Sequence, residues 1–494
     1  MRSDALHKRS SRSLVGVIPA AGRGVRAYPF TRKIPKGMLE VDGVPLIQRN
    51  VELMRDRLGI GRIRIVIGHH GEVIRDRLKD GSALGVSIEY IENDQLDREL
   101  AYSVHLGCRG LDSRVCVILA DECYVGTNHD GLRDAALSDA LAVCTLIASP
   151  YVKHIRKNYT VTLSGDRITD MQEKPTVVTG NLMGTGTYLL SPELVTRLEA
   201  AFENPDEGPR IWTSWLAKQC REGADVRAFV LDGSYVNVNS RDDLNFGNYL
   251  VRELNFEKKT TSLVYVIDRE EEEKAAHPVE VFAERPDIDE VVVATRRTAP
   301  ALERVAARAN VRIVVADEQS PVGALFRLGL DSAKGDILLL SHSDDTFSAR
   351  DVSKLLVYLR DADLVVGTRT TRQMIEQGTN MRGVVRAAHV ILAKLLEMLW
   401  WRFDCRFTDV CCVYRGMWRS TYTTIRSNLT AQGVEIIPEM VIEVLRARRR
   451  IIEIPVNYYN RDLEFTHVHA RYQSFGTFLR IVLLMLRKRL AKPR

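Results

Sequence analysis

Residues 16–46, GVIPAAGRGVRAYPFTRKIPKGMLEVDGVPL, decide the fold of the first half of the chain. The apolar run at 15–18 predicts a short buried strand. The small residues at 20–24 then let the backbone approach a bulky group, and successive amides near glycine form a concavity that suits phosphate. Arg26 and Lys36 add fixed positive charge on either side of this loop. The stretch therefore predicts a strand followed by a phosphate-binding loop.

The dinucleotide-binding fingerprint also follows a strand with Gly-x-Gly, but this loop departs from it. That fingerprint needs a third glycine three residues after the second, where this chain has Ala27. Pro29 follows, and a helix cannot run cleanly through it. The loop therefore excludes a dinucleotide site.

With its flanking residues, the stretch resembles the signature loop of sugar-1-phosphate nucleotidylyltransferases. That loop reads G-x-G-[ST]-R-x-x-P-x-T, then P-K, and the matching residues here are Gly22, Gly24, Arg26, Pro29, Thr31, Pro35 and Lys36. Val25 departs from the usual Ser or Thr, which removes one hydroxyl near the triphosphate. The resemblance implies that Ala21, Gly22, Gly24 and Arg26 hold a nucleoside triphosphate and that Lys36 contacts the reacting phosphates.

Composition limits the class of protein. At 494 residues the chain is long for one core, so we expect two or more domains. A net charge of +6 is too small for a nucleic-acid footprint, and no nucleic-acid partner is expected. The eight cysteines include no C-x-x-C pair, which favours buried thiols in a reducing cytoplasm. No signal peptide and no apolar run of membrane-spanning length is found, so we expect a cytoplasmic protein.

Strand and helix patterns alternate along both halves of the chain, which predicts an α/β fold with mostly parallel sheets flanked by helices. Around 250–262 one helical pattern ends in a polar segment, and a fresh strand pattern follows. We place the domain boundary there and expect two tandem Rossmann-like domains, at 13–255 and 261–494.

Two further segments match the nucleotidylyltransferase pattern. Asp121 ends an apolar strand pattern in Leu-Ala-Asp where the family has L-G-D, and the resemblance implies a Mg²⁺ ligand. The alternative is a turn or capping aspartate. Glu173 and Lys174 match the family's E-K-P, which implies contacts to the sugar hydroxyls and to the sugar phosphate. The alternative for this pair is a solvated ion pair of little energetic value.

Asn237, in Tyr-Val-Asn-Val-Asn-Ser, stands where the family's second metal ligand is commonly an aspartate. An amide oxygen can ligate Mg²⁺ with less charge, so we retain Asn237 as a metal ligand. The base-binding segment at 93–103 matches the family poorly. The nucleobase and the sugar or alcohol phosphate therefore stay open.

The second half resembles family 2 glycosyltransferases of the dolichol-phosphate mannosyltransferase type, which have a GT-A fold. The similar segments are a G-x-A-x-x-x-G-x-x-x-A-x-G-D pattern at 323–336, the acidic motif at 342–345, A-D-x-V-x-G-[ST]-R at 362–369, the T-D segment at 408–415 and E-x-P-V at 453–456. The resemblance implies that Asp344 binds the metal, Mg²⁺ or Mn²⁺, of a nucleotide sugar. It also makes Asp409 a base or orienting group for the acceptor.

Arg369, Arg415 and Arg461 are candidates for diphosphate or lipid-phosphate contacts, with surface charge as the alternative for each. Two departures from the family pattern bear on whether this domain is active. His342 replaces the first carboxylate of the metal motif, and the segment at 293–297 lacks the usual nucleotide-binding carboxylate. An inactive domain that docks on a membrane or a partner therefore stays open.

The C-terminal segment at 475–494 combines a broad apolar helical face with clustered Arg and Lys. Such a helix can lie at an anionic membrane surface, here the inner face, or it can pack on the core or on a partner. The hypothesis is a bifunctional enzyme. Its front half uses a nucleoside triphosphate, a sugar-1-phosphate and Mg²⁺, and its back half passes the sugar to a lipid-phosphate or glycan acceptor. A homo-oligomer is an open alternative to a monomer.

Overall fold

The computed structural model describes residues 14–24, 30–32, 34–136, 138–203, 208–268, 272–308, 310–343, 346–371, 383–401, 406–459 and 475–491. The chain divides into two compact units, Met1–Leu254 and Asn255–Arg494. The seven cysteines among the described residues are free thiols, and all of them except Cys411 are buried.

The first unit contains a large mixed sheet and two small ones. Its strands are β1 Val15–Pro19, β2 Glu40–Val41, β3 Val44–Pro45, β4 Arg62–Ile67, β5 Ser87–Glu92, β6 Val115–Ile118, β7 Glu122–Val125, β8 Ala142–Ala148, β9 Tyr159–Ser164, β10 Arg167–Glu173, β11 Leu182–Leu190, β12 Val226–Leu231 and β13 Ser234–Asn237.

The large sheet has nine strands in the order β5-β4-β1-β6-β11-β8-β12-β10-β9. β1 is buried along its whole length and pairs in parallel with β4 and β6, which explains its continuous apolar run. The sheet is more mixed than the sequence predicts. β11 lies antiparallel between β6 and β8, and β9 and β10 form an antiparallel hairpin.

The helices of the first unit cover the faces of this sheet. They are α1 Leu46–Leu58, α2 Gly71–Leu78, α3 Glu99–Cys108, α4 Leu132–Ala135, α5 Val152–Ile155, α6 Pro192–Ala201, α7 Trp212–Arg221 and α8 Arg241–Asn255. In α1 the buried residues Leu46, Asn50, Met54 and Leu58 recur every four positions and form one inward face. The apolar segment after Lys36 forms the short hairpin β2–β3, in which Asp42-Gly43 turns the chain.

The second unit contains a seven-stranded sheet in the order β16-β15-β14-β17-β20-β19-β21. The strands of this unit are β14 Thr261–Val266, β15 Glu290–Thr295, β16 Val311–Val315, β17 Ile337–His342, β18 Thr346–Phe347, β19 Leu364–Thr368, β20 Arg415–Trp418, β21 Ile451–Pro455 and β22 Tyr458–Tyr459. β18 and β22 pair with each other outside the seven-stranded sheet. Parallel pairs join β14 to β17 and β19 to β21, and β20 is antiparallel to both of its neighbours. The α/β class predicted from the sequence is therefore confirmed.

The helices of the second unit are α9 Glu272–Ala283, α10 Pro300–Ala306, α11 Val322–Ser332, α12 Val352–Leu359, α13 Gly383–Leu399, α14 Arg419–Ile425, α15 Ile436–Arg446 and α16 Phe475–Leu490. α15 is buried over nearly all of its length, including Glu439 and Glu443. Within the described ranges, no helix is both long and apolar enough to cross a membrane.

Candidate functional site

A cleft of about 530 Å³ opens in the first unit where the loops after β1 and β6 lie side by side. Such a position, beyond the carboxyl ends of parallel strands, is where α/β sheets bind ligands. The cleft brings together eight of the predicted site residues: Ala21, Gly22, Gly24, Lys36, Asp121, Glu173, Lys174 and Asn237. Arg26, Asp344 and Arg461 lie outside the residues that the structure describes.

The loop after β1 has a backbone that needs glycine. Gly24 has a φ of 62°, in the left-handed region, and a Cβ there would lie 3.2 Å from Thr31. Thr31 Oγ1 donates to the carbonyl of Gly24 at 2.7 Å, which fixes the turn. Gly22 borders open space, since a Cβ added there would meet no atom within 4 Å. Thr31 therefore fixes the loop at Gly24, whereas Gly22 borders space that a ligand can occupy.

Lys36 lies between the two strand ends and pairs with Asp121. Its ammonium contacts the Asp121 carboxylate and donates to Asn239 Oδ1 at 2.7 Å. Gly37 allows this approach, because a Cβ there would lie 3.1 Å from Ala120 Cβ. The side chains of Lys36 and Asp121 are 14% and 22% exposed, so both can still reach a ligand in the cleft.

A line of hydrogen bonds continues from Lys36 into the protein. Asn239 Nδ2 donates to Asn237 Oδ1, and Asn237 Nδ2 donates to Glu122 Oε1 at 2.8 Å. Asn237 and Glu122 are partners in the register of β7 and β13. Burial, together with the nearby charge of Asp121, raises the pKa of Glu122 to about 8, so this side chain is protonated at neutral pH. We name Lys36, Asn239, Asn237 and Glu122 the amide relay.

The relay also depends on a capped helix. Ser240 precedes α8, and its Oγ accepts from the amide of Asp243 at 3.3 Å and donates to Asp243 Oδ2 at 2.8 Å. The same carboxylate accepts from the backbone amide of Asn239 at 3.1 Å and, through Oδ1, from Lys157 Nζ at 2.7 Å. Burial favours a higher pKa for Asp243, but the hydrogen bonds from Lys157 and Ser240 outweigh it and lower that pKa. Asp243 is therefore ionised and holds Asn239 in place.

Glu173 and Lys174 lie on the opposite wall of the cleft, at the end of β10. Glu173 Oε2 accepts from Thr213 Oγ1 at 2.9 Å, and its Oε1 lies 3.6 Å from Lys174 Nζ. Lys174 has a φ of 45°, which is uncommon for a residue with a side chain. Its amide donates to the carbonyl of Asn158 at 2.8 Å. Strained backbone of this kind concentrates at functional positions, where surrounding contacts maintain it.

The donor set of the cleft fits Mg²⁺. This ion prefers hard oxygen ligands and usually binds through one or two carboxylates together with substrate phosphates. Asp121 supplies a carboxylate. Asn237 supplies an amide oxygen, which belongs to the same series of hydrogen bonds as Lys36. Among the described residues, no three His, Cys, Asp or Glu side chains form a cluster that could hold a metal by themselves. These residues therefore suit an ion whose coordination is completed by oxygen atoms of the substrate.

The structure places Asp409 in the interior of the second unit. It is fully buried, and Arg369 Nε and Nη2 donate to its two oxygens at 2.8 and 3.1 Å. His389 Nδ1 lies 3.1 Å from Asp409 Oδ1. Burial favours a higher pKa for Asp409, but the charges of Arg369 and His389 outweigh it and hold that pKa well below its usual range. Asp409 and Arg369 are thus brought together, with each other as partners.

A partly buried glutamate, Glu453, and a fully buried arginine, Arg415, lie near this pair. Glu453 accepts the backbone amides of Thr408 and Asp409, each at 2.7 Å, and burial together with Asp409 raises its pKa to about 7. Arg415 is fully buried and donates to the carbonyls of Cys412 at 3.1 Å and Ile437 at 2.7 Å. Burial lowers its pKa to about 10. In this structure its guanidinium therefore supports the backbone rather than facing a cavity.

The sequence reasoning missed Glu122, Asn239 and Lys157. One signal could have found Asn239. Asn237 and Asn239 alternate in the sequence with Val236 and Val238, a pattern typical of extended chain with its polar side chains on one side, although β13 itself ends at Asn237. Ser240 and Asp243 have the spacing of a capping box, which marks the start of α8. Glu122 directly follows Asp121, and no local pattern distinguishes it from a surface residue.

Comparisons with known proteins relate residues of the first unit to one family. Residues 15–245 match the family described as nucleotidyl transferase. An N-acetylmuramate alpha-1-phosphate uridylyltransferase from Neisseria meningitidis serogroup B is 30% identical over 191 residues, which are 37% of this chain and 78% of that protein.

A UTP–glucose-1-phosphate uridylyltransferase from a Synechocystis species is 29% identical over 201 residues, which are 38% of this chain. The match spans about half, 51%, of that relative's length. A solved structure of UDP-glucose pyrophosphorylase with UDP-glucose has a TM-score of 0.42 at 21% identity, covering 50% of this chain and all of that one.

Proposed function

Since the chain belongs, through residues 15–245, to the nucleotidyl transferase family, we propose that its first unit joins a nucleotidyl group to a sugar-1-phosphate. The nucleotidyl group comes from a nucleoside triphosphate, and pyrophosphate is released. The observation that carries the proposal is the cleft in which Lys36, Asp121 and Lys174 converge beside the glycine loop. Relatives named for uridylyl transfer to sugar-1-phosphates support the same substrate class.

The reaction is an in-line displacement. An oxygen of the sugar-1-phosphate forms a bond to the α-phosphorus, and the bond between the α-phosphorus and the bridging oxygen to the β-phosphorus breaks. The leaving group is pyrophosphate, and no covalent enzyme intermediate is needed. The chain contributes position and charge, which lower the barrier by holding reactants in line and by stabilising charge that develops on phosphate oxygens.

Each predicted group has a role in that displacement. The glycine loop receives the triphosphate, and Arg26 is proposed to add charge there. Lys36 and Lys174 neutralise the reacting phosphates from opposite walls, and Glu173 accepts sugar hydroxyls. Asp121 and Asn237 would hold Mg²⁺, which when bound would neutralise phosphate charge. The amide relay keeps the oxygen of Asn237 directed to the cleft, because its Nδ2 is bound to Glu122.

For the second unit we propose transfer of the activated sugar to a lipid-phosphate or glycan acceptor at the inner face of the membrane. The segments that resemble a GT-A glycosyltransferase support this, with Asp344 as the metal ligand and Asp409 and Arg369 beside the acceptor. A specific observation favours the alternative, a docking domain without activity. Both oxygens of Asp409 are already bound to Arg369, so Asp409 is available only if that pair separates.

The test uses the full chain with Mg²⁺. Each nucleoside triphosphate is combined with a panel of sugar-1-phosphates, pyrophosphate is measured, and products are identified by mass spectrometry. We expect pyrophosphate only when both substrates are present, with a nucleotide sugar as the product. If no pair of nucleoside triphosphate and sugar-1-phosphate yields pyrophosphate, the proposal is refuted.

A second stage adds lipid phosphate to the productive mixture. A glycolipid product supports transfer by the second unit, whereas pyrophosphate release without any glycolipid supports the docking alternative. The control is Asp76→Ala, an exposed aspartate on α2 outside the cleft, which should match the unmodified chain in both stages.

A further inference from the structure

The last described helix, α16, buries Ile481 and Met485 in the core of the second unit and also exposes apolar side chains on its outward face. Its buried residues include Lys488, whose Nζ lies 2.7 Å from Glu439 Oε1 and 2.9 Å from Glu443 Oε1. The same ammonium donates to the carbonyl of Asn428 at 2.6 Å. Two carboxylates of the buried helix α15 thus take up a charge that a surface helix would normally direct to water.

The outward face of α16 carries a stripe of exposed apolar side chains. Its exposed residues follow one another at spacings of four, four, three and four, which places them in one stripe along the helix. They are Phe475, Leu479, Leu483, Leu486 and Leu490, with exposures of 80%, 47%, 56%, 43% and 86%. Single exposed apolar residues are ordinary, whereas a continuous exposed stripe marks an interaction site.

The neighbouring helix continues this surface. α13 packs against α16, and it too exposes apolar residues at a constant spacing of seven: Val384, Ile391 and Met398. Trp401, just beyond the end of α13, is 65% exposed. We name these nine residues of α13, α16 and Trp401 the outer apolar surface.

The charges beside this surface indicate the chemistry of its partner. α16 contains no Asp or Glu. Exposed arginines border its apolar stripe on both sides, Arg487 on one and Arg489 on the other, while Arg480, on the side of Arg487, pairs with Glu435. A second copy of this chain would bring these positive borders together with no carboxylate on the helix to offset them. Anionic headgroups, in contrast, attract exposed arginines while acyl chains receive the apolar side chains.

We propose that the outer apolar surface docks the protein on an anionic phospholipid bilayer, with α16 lying in the headgroup region. A helix of 16 residues is about 24 Å long, shorter than the roughly 30 Å hydrocarbon core, so it rests on the bilayer rather than crossing it. This docking is argued from packing and charge in the second unit, and it does not depend on the chemistry proposed for the first.

The test is flotation of the full chain with vesicles of phosphatidylcholine alone or with 30% phosphatidylserine. We expect at least tenfold more bound protein on the anionic vesicles, and loss of that binding in 0.5 M salt. Leu479→Gln/Leu483→Gln should reduce binding about tenfold or more. The matched control is Leu254→Gln, since Leu254 is 58% exposed, as Leu483 is at 56%, and lies outside this surface.

Two double variants test the arginines that border the outer apolar surface. Arg487→Gln/Arg489→Gln should weaken binding about tenfold, whereas Arg77→Gln/Arg109→Gln, at exposed arginines of the first unit, should not. Equal binding to neutral and anionic vesicles would overturn the proposal. So would self-association in sedimentation that Leu479→Gln/Leu483→Gln abolishes while vesicle binding is absent, because a second copy would then cover the surface.

The same samples separate this proposal from the nucleotidyl transfer. Pyrophosphate release should be unchanged in the leucine and arginine variants, and Asp121→Ala should bind anionic vesicles as the unmodified chain does. A failure in either assay therefore refutes one proposal and leaves the other.

Discussion

Asp121 and Asp409 are both carboxylates paired with a basic side chain, yet the structure gives them different surroundings. Asp121 lines a cleft, and among the described residues its partner Lys36 has one further side-chain bond, to Asn239. Asp409 has no exposed surface and is bound by Arg369 through both oxygens as well as by His389. An accessible pair can exchange its partner for a substrate or a metal, whereas a buried pair mainly determines the local structure. This comparison predicts different consequences when each pair is broken.

The largest expected effect follows removal of Asp409. Asp409→Ala leaves the charges of Arg369 and His389 buried without a partner, which should reduce the free energy of unfolding of the second unit by about 3–5 kcal/mol. Urea unfolding followed by tryptophan fluorescence measures this, with the exposed Asp317→Ala as the control. Pyrophosphate release should not change. Unchanged stability with loss of glycolipid formation would instead make Asp409 a substrate-contacting residue.

Removal of Asp121 should affect the rate and not the fold. Asp121→Ala deletes the carboxylate proposed to hold Mg²⁺, and we expect kcat for pyrophosphate release to fall by about 10²–10³. Asp76→Ala should retain full activity, and the unfolding transitions of both variants should match that of the unmodified chain. Full activity in Asp121→Ala would contradict the metal assignment.

The buried pair should also show a pH dependence of stability. Burial tends to lower the pKa of His389, but Asp409 outweighs it and raises that pKa to about 9. Because the pKa of His389 is raised in the folded state, its contribution to the free energy of unfolding is complete below its unfolded pKa of about 6.5. This contribution is lost as the pH rises through 9. Within this window the slope is up to about 1.4 kcal/mol per pH unit.

His389→Gln should flatten that slope. The measurement is the free energy of unfolding of the second unit at pH 6 and at pH 9.5, together with a histidine NMR titration of the unmodified chain. A steep slope that persists in the variant would show that another group carries the pH dependence.

The smallest expected effect comes from the amide relay. Asn239→Ala removes one acceptor from the ammonium of Lys36. A hydrogen bond to a charged group is worth about 1.5–3 kcal/mol, so kcat should fall by about 10- to 150-fold. Asn128→Ala, which breaks a bond to Asp232 away from the cleft, is the matched control. If Asn239→Ala retains full kcat, the relay does not orient the reacting groups.

Much of the cleft follows from local sequence. The glycine loop and Asp121 follow β1 and β6, and because these strands are parallel, their carboxyl ends and the residues after them lie together. Glu173 ends the antiparallel strand β10 and Lys174 follows it, so their place in the cleft depends on the folded sheet. Their binding roles stay predictions. Asn239 and Glu122 were missed because hydrogen bonds formed only after folding distinguish them from ordinary polar residues.

The second unit was less predictable for a related reason. Arg369 and Asp409 are 40 residues apart, and only the folded chain shows that they are each other's partners. The sequence offers Arg415 as a candidate for a phosphate contact or as a surface charge, whereas in the structure it lies at the start of the buried strand β20 and donates to backbone carbonyls. A sequence pattern identifies charged residues, but it does not reveal which of them are buried.

The contact between Gly186 and Glu122 links two distant positions in the chain. A Cβ on Gly186 would lie 2.5 Å from Glu122 Oε1, closer than atoms approach without a shift. A side chain at position 186 therefore requires Glu122 to shift or to be replaced by a smaller residue. We expect natural homologues with a side chain at the first position to carry a smaller residue than glutamate at the second, so that the two vary together in evolution.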